Sequence, residues 1–257
     1  MKYVQIFLLT CMTLSTSIAT AHSGIGQEKF VMENIETQLN DCRHLLQEQV
    51  NNNLNVLKQF DQFANFLKIT YQSGEGLTNR DVQRIIDTIA FSAEKHRFQT
   101  RKDPDQTPYI IHPIGVAHNL MVIGKVRDPE IIIGALLHDT VEDTQTSFEE
   151  IEQRFGIRVA GFIKEVTDDK SLPKHKRKEL QIEHAPDKSA GAAQIKLADK
   201  LYNLSDLAKA PPSDWEQERI DAYFQWAKAV VDGLPWVNAP LKQAVDDVIQ
   251  AYWKNQP

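Results

Sequence analysis

The stretch ALLHDTVEDT (residues 135–144) places a histidine and three acidic residues at the end of an apolar segment. Residues four apart share one face of a helix, so we expect His138 over Glu142 and Asp139 over Asp143. Carboxylates packed this closely repel one another unless a cation lies between them. The stretch therefore predicts a metal site at the end of an apolar helix.

Two distant segments supply candidates for further metal ligands. His112 directly precedes Pro113, which favours an extended conformation, and we expect its ring to project from an N-cap position at a helix mouth. Asp199 lies within an apolar helical stripe, where a buried acid requires a partner. Two imidazoles and two carboxylates without a thiolate suit Mn²⁺, Fe²⁺ or Zn²⁺ better than Ca²⁺ or a structural zinc ion.

Each of these side chains also has a purely structural interpretation. His138 can be a core histidine, and Asp139 can be a polar residue at a helix end. Asp199 can form an ion pair with Lys196 or Lys200, which lie close to it in the sequence. The spacing alone leaves both interpretations open.

The fold class predicted from the whole chain is all-α. Apolar residues recur at helical spacing from residue 78 onwards, and no convincing run of alternating strand residues appears. One helix is expected over residues 131–141. Helix starts are predicted at Thr78 with Asp81, Asp128 with Pro129, Ser147 with Glu150, and Asn238 with Pro240, and Gly156 can end a helix.

The composition argues against some classes of partner. The 257 residues carry 29 Lys and Arg against 35 Asp and Glu, for a net charge of −6. An acidic chain lacks the broad basic footprint of a nucleic-acid-binding protein, so no nucleic-acid partner is expected. Local basic segments remain compatible with a small anionic ligand.

The first residues predict export. Residues 1–21, MKYVQIFLLTCMTLSTSIATA, have a lysine, an apolar run and an Ala-Thr-Ala end, which is typical of a signal peptide. The protein would then be periplasmic or secreted, with no stable membrane span after cleavage. The alternative is an uncleaved membrane anchor, for which the run is short.

Residues 28–70 predict a helical arm, either one long amphipathic helix or two helices broken near residues 51–53. The arm can pack on the main domain as a hairpin, or it can serve a homo-oligomer or another partner. The predicted organisation is a signal peptide (1–21), a helical extension and linker (22–77), and one domain over 78–257.

The sequence resembles the HD-domain phosphohydrolases of the Rel/Spo alarmone type, and within them the small stand-alone metazoan SpoT homologues. The resemblance is carried by the order of His112, His138-Asp139 and Asp199, and by KHRFQTRKDPDQTPYIIHPIGVA, ALLHDTVEDT, EVTDDKSLPKHKRK and IKLADKLYNL. It extends over about residues 80–254. It implies an HD-domain helical bundle, to which residues 22–77 add an N-terminal helical extension.

The resemblance also implies a metal centre and a reaction. Mn²⁺ would be held by His112, His138, Asp139 and Asp199, with Fe²⁺ or Zn²⁺ as alternatives. Glu142 and Asp143 would act on the attacking water as base and assistant. The reaction would remove the 3′-pyrophosphate of (p)ppGpp to give GDP or GTP and pyrophosphate.

Contacts to the nucleotide are expected from basic and aromatic residues. The resemblance assigns phosphate binding to Arg101, Lys102 and Lys174, while Asn203, Tyr109 and Tyr223 are candidates for contacts to the sugar, base or phosphates.

Two other functions remain open. One is an exported phosphatase acting on NADPH at its 2′-phosphate, or on another phosphorylated nucleotide. The other is a non-catalytic nucleotide-binding or partner-binding protein.

Overall fold

The computed structural model describes residues 24–235 and 238–256. Within these residues the secondary structure consists of α-helices, one 3₁₀ turn and a single isolated bridge between Thr100 and Pro108, so the all-α prediction is confirmed. The helices are α1 (Gly24–Gln49), α2 (Leu54–Gln72), α3 (Asn79–Lys95), α4 (Ile111–Val122), α5 (Pro129–Leu137), α6 (Thr140–Asp143), α7 (Phe148–Phe155), α8 (Ile157–Val166), α9 (Lys174–Glu183), α10 (Ala190–Lys209), α11 (Gln217–Gly233) and α12 (Ala239–Lys254).

Helix α10 lies at the centre of the domain and packs against α4, α5, α8, α11 and α12. Its apolar residues Ile195, Leu201 and Leu204 are buried in the core. The same helix also buries Lys196 and Asp199, which are polar residues in an otherwise apolar surrounding. Burying a charge costs free energy unless the charge has a partner. These two residues are therefore candidates for a functional role besides packing.

The predicted helix starts are confirmed by side-chain caps. Oγ1 of Thr78 accepts a hydrogen bond from the backbone N–H of Asp81 (3.2 Å), and Oδ2 of Asp81 accepts one from the backbone N–H of Thr78 (3.0 Å). This reciprocal pair is a capping box. Side chains of Asp128, Ser147 and Asn238 likewise accept from the first turns of α5, α7 and α12. Gly156, at φ 96°, ends α7 as predicted.

The helix predicted over residues 131–141 ends earlier than expected, at Leu137. Two side chains bind the carbonyl groups at its carboxyl end. Oγ1 of Thr140 donates to the carbonyl of Leu137 (2.7 Å), and Nδ1 of His138 lies 2.7 Å from the carbonyl of Ala135. Side-chain hydrogen bonds of this kind compete with helix continuation. The segment that carries Glu142 therefore forms the separate short helix α6.

His112 also differs from its predicted position. It lies inside the first turn of α4, and the N-cap residue is Ile110, in a helical conformation. Pro113 is still accommodated, because the first backbone N–H groups of a helix have no partner inside the helix. The ring of His112 is buried, so it points into the domain and not out of a helix mouth.

The N-terminal arm forms two helices, α1 and α2, with the break at the predicted asparagines. Asn51 and Asn52 adopt positive φ angles of 49° and 59°, and the side chain of Asn53 caps α2. Helix α1 packs on α3, and α2 packs on α4. Side chains such as Ile35 and Phe63 belong to the same hydrophobic core as the domain. The hairpin interpretation agrees with this packing, while a partner at residues 28–70 and the boundary at residue 78 stay predictions.

The predicted signal peptide lies outside the described residues, which begin at residue 24. None of the helices described has the length and apolar character that crossing a bilayer requires.

Cys42 is buried in α1, where its thiol fills space in the core, and burial raises its pKa to about 12.

Candidate active site

Two histidines from different helices meet in the interior of the domain. Nε2 of His112, from α4, lies 3.1 Å from Nε2 of His138, which follows α5. Both side chains are at least 95% buried. The Nδ1 atom of His138 lies 2.7 Å from the carbonyl oxygen of Ala135, so it carries the proton that it donates to this acceptor. That bond fixes the ring and leaves Nε2 able to bind a cation.

Two carboxylates complete this group. Oδ1 of Asp199 lies 3.3 Å from Nε2 of His112 and 3.8 Å from Nε2 of His138. Oδ2 of Asp139 lies 3.4 Å and 3.1 Å from the same two nitrogens. Asp139 also accepts a hydrogen bond from the hydroxyl of Tyr109 (2.5 Å). The four residues predicted as metal ligands are thus brought together.

The geometry fits a divalent metal ion. One ligand atom each of His112, His138 and Asp199 lies within 4.8 Å of the others, and all three residues are buried. Atoms that each lie about 2.0–2.2 Å from one ion are separated by distances of this order. Nitrogen and oxygen donors without sulfur suit a transition metal with imidazole affinity. Asp139 is adjacent and more exposed, with 19% of its side chain accessible.

The pKa values in this group also indicate a cation. Burial by itself would lower the pKa of His138, but the carboxylates of Asp139 and Asp199 outweigh it and raise that pKa to about 10. Burial would raise the pKa of Asp199, but Lys200 and the two imidazoles hold it well below its usual range. The cluster therefore takes up positive charge, either as protons or as a metal ion that replaces them.

Glu142 and Asp143, the predicted water-activating pair, have different surroundings. Oε2 of Glu142 accepts a hydrogen bond from the backbone N–H of Asp168 (3.1 Å), and Oε1 lies 3.6 Å from Nη1 of Arg177. Burial, followed by the charges of Asp139, Asp168 and Asp143, raises the pKa of Glu142. Asp143 forms an ion pair with Lys170 instead. Glu142 is therefore the better placed of the two to exchange a proton.

Three cavities adjoin at this site and share lining residues. The metal cavity, of about 160 Å³, contains the four predicted ligands together with Glu142, Arg101, Tyr109 and Asn203. The loop cavity, of about 360 Å³, shares Arg101, Tyr109 and Asn203 with it and adds Lys102, Asp143 and Tyr223. The basic cavity, of about 270 Å³, contains Lys174 and Tyr223 and shares Asp168 and Gln181 with the metal cavity. Every predicted site residue thus lines at least one cavity, but four of them lie outside the metal cavity: Lys102, Asp143, Lys174 and Tyr223.

Arg101 and Asn203 are joined to one another and to an acid. Nη2 of Arg101 donates to Oδ1 of Asn203 (2.8 Å) and to Oδ2 of Asp206 (3.2 Å). Asn203 in turn donates from Nδ2 to Oδ1 of Asp199 (2.5 Å). A hydrogen-bonded chain therefore leads from the guanidinium to a predicted metal ligand.

Several residues of the site are absent from the predicted set. Arg177, Lys178 and Arg219 line the basic cavity, and Lys196 and Lys200 line the metal cavity. Arg177 and Lys178 belong to the basic segment KSLPKHKRK, where the sequence alone cannot separate pocket residues from solvated ones. Lys196 and Lys200 lie on either side of Asp199 on α10. The apolar stripe that predicts burial of this acid therefore also predicts burial of the two lysines.

Comparisons with known proteins agree with this geometry. The family described as "HD domain" matches residues 88–227. The guanosine-3′,5′-bis(diphosphate) 3′-pyrophosphohydrolase MESH1 of Xenopus tropicalis is 53% identical over 166 residues, which cover 65% of this chain and 93% of that protein. The MESH1 protein of Homo sapiens is 50% identical over 165 residues, covering 64% and 92%.

A solved structure is similar as well. It is described as "A metazoan ortholog of SpoT hydrolyzes ppGpp and plays a role in starvation responses". Its TM-score is 0.64 at 49% sequence identity, and the match covers 65% of this chain and 94% of that one. This chain and that structure therefore share both fold and sequence over about two-thirds of this chain.

The prediction of an exported protein is wrong. The match takes up 93% of the Xenopus relative and 92% of the human one, so the remainder of each has less room than a signal peptide of ~15–30 residues generally needs. These two relatives consist of little more than the matched domain. The assignment to the periplasm or the exterior, which rested on residues 1–21 alone, does not hold.

Proposed function

Because this chain belongs to the HD-domain family, in the group of the metazoan SpoT-type pyrophosphohydrolases, we propose that it removes the 3′-pyrophosphate from (p)ppGpp, giving GDP or GTP and pyrophosphate. The observation that carries the proposal is the convergence of His112, His138 and Asp199 on one buried point, in a cavity that Glu142 also lines. A hydrolase of phosphate esters needs such a pairing of a cation site with a base.

Within this proposal, Mn²⁺ would be held by His112, His138, Asp139 and Asp199, with Fe²⁺ or Zn²⁺ compatible with the same donors. A divalent ion supplies Lewis acidity there, which activates water and offsets the charge of phosphate oxygens. Tyr109 keeps Asp139 oriented by its hydrogen bond of 2.5 Å. The carbonyl of Ala135 does the same for the ring of His138.

Glu142 is proposed as the general base that takes a proton from the attacking water. Its carboxylate is partly buried, and its raised pKa makes it a better proton acceptor than a solvated carboxylate. The backbone N–H of Asp168 holds one oxygen, and the other, which lies 3.6 Å from Nη1 of Arg177, can still accept a proton from the water. Asp143 assists from outside the metal cavity, where its side chain pairs with Lys170.

The phosphates of the substrate are proposed to meet local cations, since the chain as a whole is acidic. Arg101 reaches the metal and loop cavities, Lys102 the loop cavity, and Lys174 the basic cavity. The planar fork of Arg101 can exchange its bonds to Asp206 and Asn203 for phosphate oxygens. Tyr223 lines both the loop cavity and the basic cavity, where its ring can stack on the nucleoside.

The proposal is tested with the purified full chain loaded with Mn²⁺. Release of pyrophosphate from ppGpp is compared with release of phosphate from NADPH at equal substrate concentration. We expect turnover of ppGpp to yield GDP and pyrophosphate in equal amounts. His138→Ala, which removes one ligand, should lose both the metal and the activity. A metal-loaded protein that leaves ppGpp intact would refute the assignment, and faster turnover of NADPH would transfer it to the phosphatase alternative.

A further inference from the structure

Lys196 is a buried cation next to the metal ligands. It lies on α10 one turn before Asp199, only 7% of the residue is exposed, and it lines the metal cavity. A lysine ammonium is almost never buried without a partner, because removing it from water costs several kcal/mol. Its position therefore requires a compensating negative charge or strong acceptors.

The protein supplies Lys196 with little of either. Its ammonium has one hydrogen-bond acceptor among the described residues, the carbonyl oxygen of Val166, at 3.5 Å. This distance is at the long limit for such a bond. Within the same part of the chain, no carboxylate forms an ion pair with it. The protein thus leaves most of its bonding capacity unused.

The neighbouring cations of the metal cavity are satisfied. Nζ of Lys200 lies 3.1 Å from Oδ2 of Asp199, and Nη2 of Arg101 lies 3.2 Å from Oδ2 of Asp206. Burial, together with the positive charge of Lys200, lowers the pKa of Lys196 to about 8. Among the described residues Lys196 has no ion pair of its own, although the charges of Asp199 and Asp168 act on it, whereas Lys200 and Arg101 are each paired.

We infer that Lys196 binds the 3′-pyrophosphate of the substrate inside the metal cavity, where phosphate oxygens provide the close ion pair and the hydrogen-bond acceptors that Lys196 lacks among the described residues. This inference rests on the proposed function and deepens it by naming the cation that recognises the group to be released. Lys196 shares its cavity with His112, His138 and Asp199, so a phosphate held by Lys196 lies beside the metal ligands.

The test is the variant Lys196→Met, which has similar length and no charge. Lys188→Met is the matched control, because Lys188 also donates to a backbone carbonyl at the end of α8, that of Glu165, but lines none of the three cavities. Both variants and the unaltered chain are loaded with Mn²⁺ and titrated with inorganic pyrophosphate by calorimetry, in a small excess of Mn²⁺. Melting temperatures and metal contents are measured on the same samples.

We expect Lys196→Met to retain its metal and to bind pyrophosphate at least about tenfold more weakly, as the loss of a charge-assisted hydrogen bond implies. Its melting temperature should stay level or rise, because an apolar side chain replaces an unpaired buried charge. Lys188→Met should bind pyrophosphate as the unaltered chain does. A structural role would give the opposite pattern, a lower melting temperature with unchanged pyrophosphate binding, and would overturn the inference.

The same samples separate this inference from the proposed function. Turnover of ppGpp is assayed independently of the pyrophosphate titration. If the unaltered chain binds pyrophosphate through Lys196 yet leaves ppGpp intact, the proposed function fails and the binding role of Lys196 stands. If ppGpp is hydrolysed and Lys196→Met binds pyrophosphate normally, the inference fails alone. Absence of pyrophosphate binding by the unaltered chain would also overturn it.

Discussion

The hydroxyl of Tyr109 donates a hydrogen bond to Oδ2 of Asp139 over 2.5 Å, and the same oxygen lies 3.1 Å from Nε2 of His138. Tyr109, which the sequence suggests as a contact for the nucleotide, therefore also orients a proposed metal ligand. Loss of a group that orients a metal ligand typically weakens metal binding by about 10–100-fold.

Removing this hydroxyl should weaken metal binding. We expect Tyr109→Phe to lower the affinity for Mn²⁺ by about 10–100-fold, because Asp139 loses the bond that fixes its carboxylate. The affinity is measured by competition with a chelator of known strength. Tyr71→Phe serves as a control, since Tyr71 packs against the core from α2, away from the three cavities. Equal affinities for Tyr109→Phe and the unaltered chain would remove Tyr109 from the metal centre.

Glu142→Gln should separate chemistry from metal binding. The substitution retains the size of the side chain but removes the proposed base, so turnover of ppGpp should fall by about 10²–10⁴-fold with the metal content unchanged. Glu149→Gln, an exposed acid in the first turn of α7, should leave the rate unaltered. A Glu142→Gln enzyme with normal turnover would show that the base is another group.

Gly115 on α4 lies directly against the ring of Tyr202 on α10. A Cβ atom at this position would lie 1.9 Å from the ring of Tyr202. Gly115→Ala should therefore destabilise the fold by about 1–3 kcal/mol through overpacking, measured as the free energy of unfolding in urea. Gly161→Ala is the matched control, because nothing lies within 4 Å of its added Cβ atom in α8. It should be neutral or stabilising by up to about 1 kcal/mol.

Asp128 should contribute to stability in a pH-dependent way. Burial by itself would raise its pKa, but hydrogen bonds from Arg158 and from the first turn of α5 outweigh it and hold the pKa below its usual value. A carboxyl with a depressed pKa stabilises the fold above its unfolded pKa of about 3.9, and this contribution is lost as the pH falls through the folded value.

Asp128→Asn tests this sign, since asparagine retains the N-cap but not the charge. The variant should be less stable than the unaltered chain by about 0.2–1 kcal/mol near neutral pH, as expected for a surface ion pair. The difference should shrink at an acidic pH below the depressed folded pKa, where Asp128 is protonated in both states. Thermal unfolding at the two pH values measures it, and a difference that stays constant would contradict the electrostatic explanation.

Local spacing predicts the parts of this site that lie along one helix or at its ends. The histidine and acids of ALLHDTVEDT and the isolated acid on α10 stand out because apolar residues surround them. Both interpretations of Asp199 apply in the structure, since it contacts Lys200 as well as His112. Periodicity indicates that a side chain is buried, but it does not indicate which neighbour compensates its charge.

Other features depend on contacts that no local pattern encodes. Arg101 bonds to Asn203 and Asp206, which lie 102 and 105 residues further along the chain. The end of α5 at Leu137 results from a hydrogen bond of Thr140, which propensity alone does not reveal. Export was inferred from the composition of residues 1–21 alone, which carries no information about the domain that the relatives share.

The α1–α2 hairpin contributes no residue to the lining of the three cavities. No residue that lines the three cavities precedes Thr100, whereas Ile35, Phe63 and their neighbours contribute to the common core. The hairpin thus adds to the stability of the common core without supplying any lining residue of the three cavities. An engineer can therefore stabilise the protein through substitutions in the α1–α2 hairpin, within residues 30–72, while the lining of the three cavities stays unchanged.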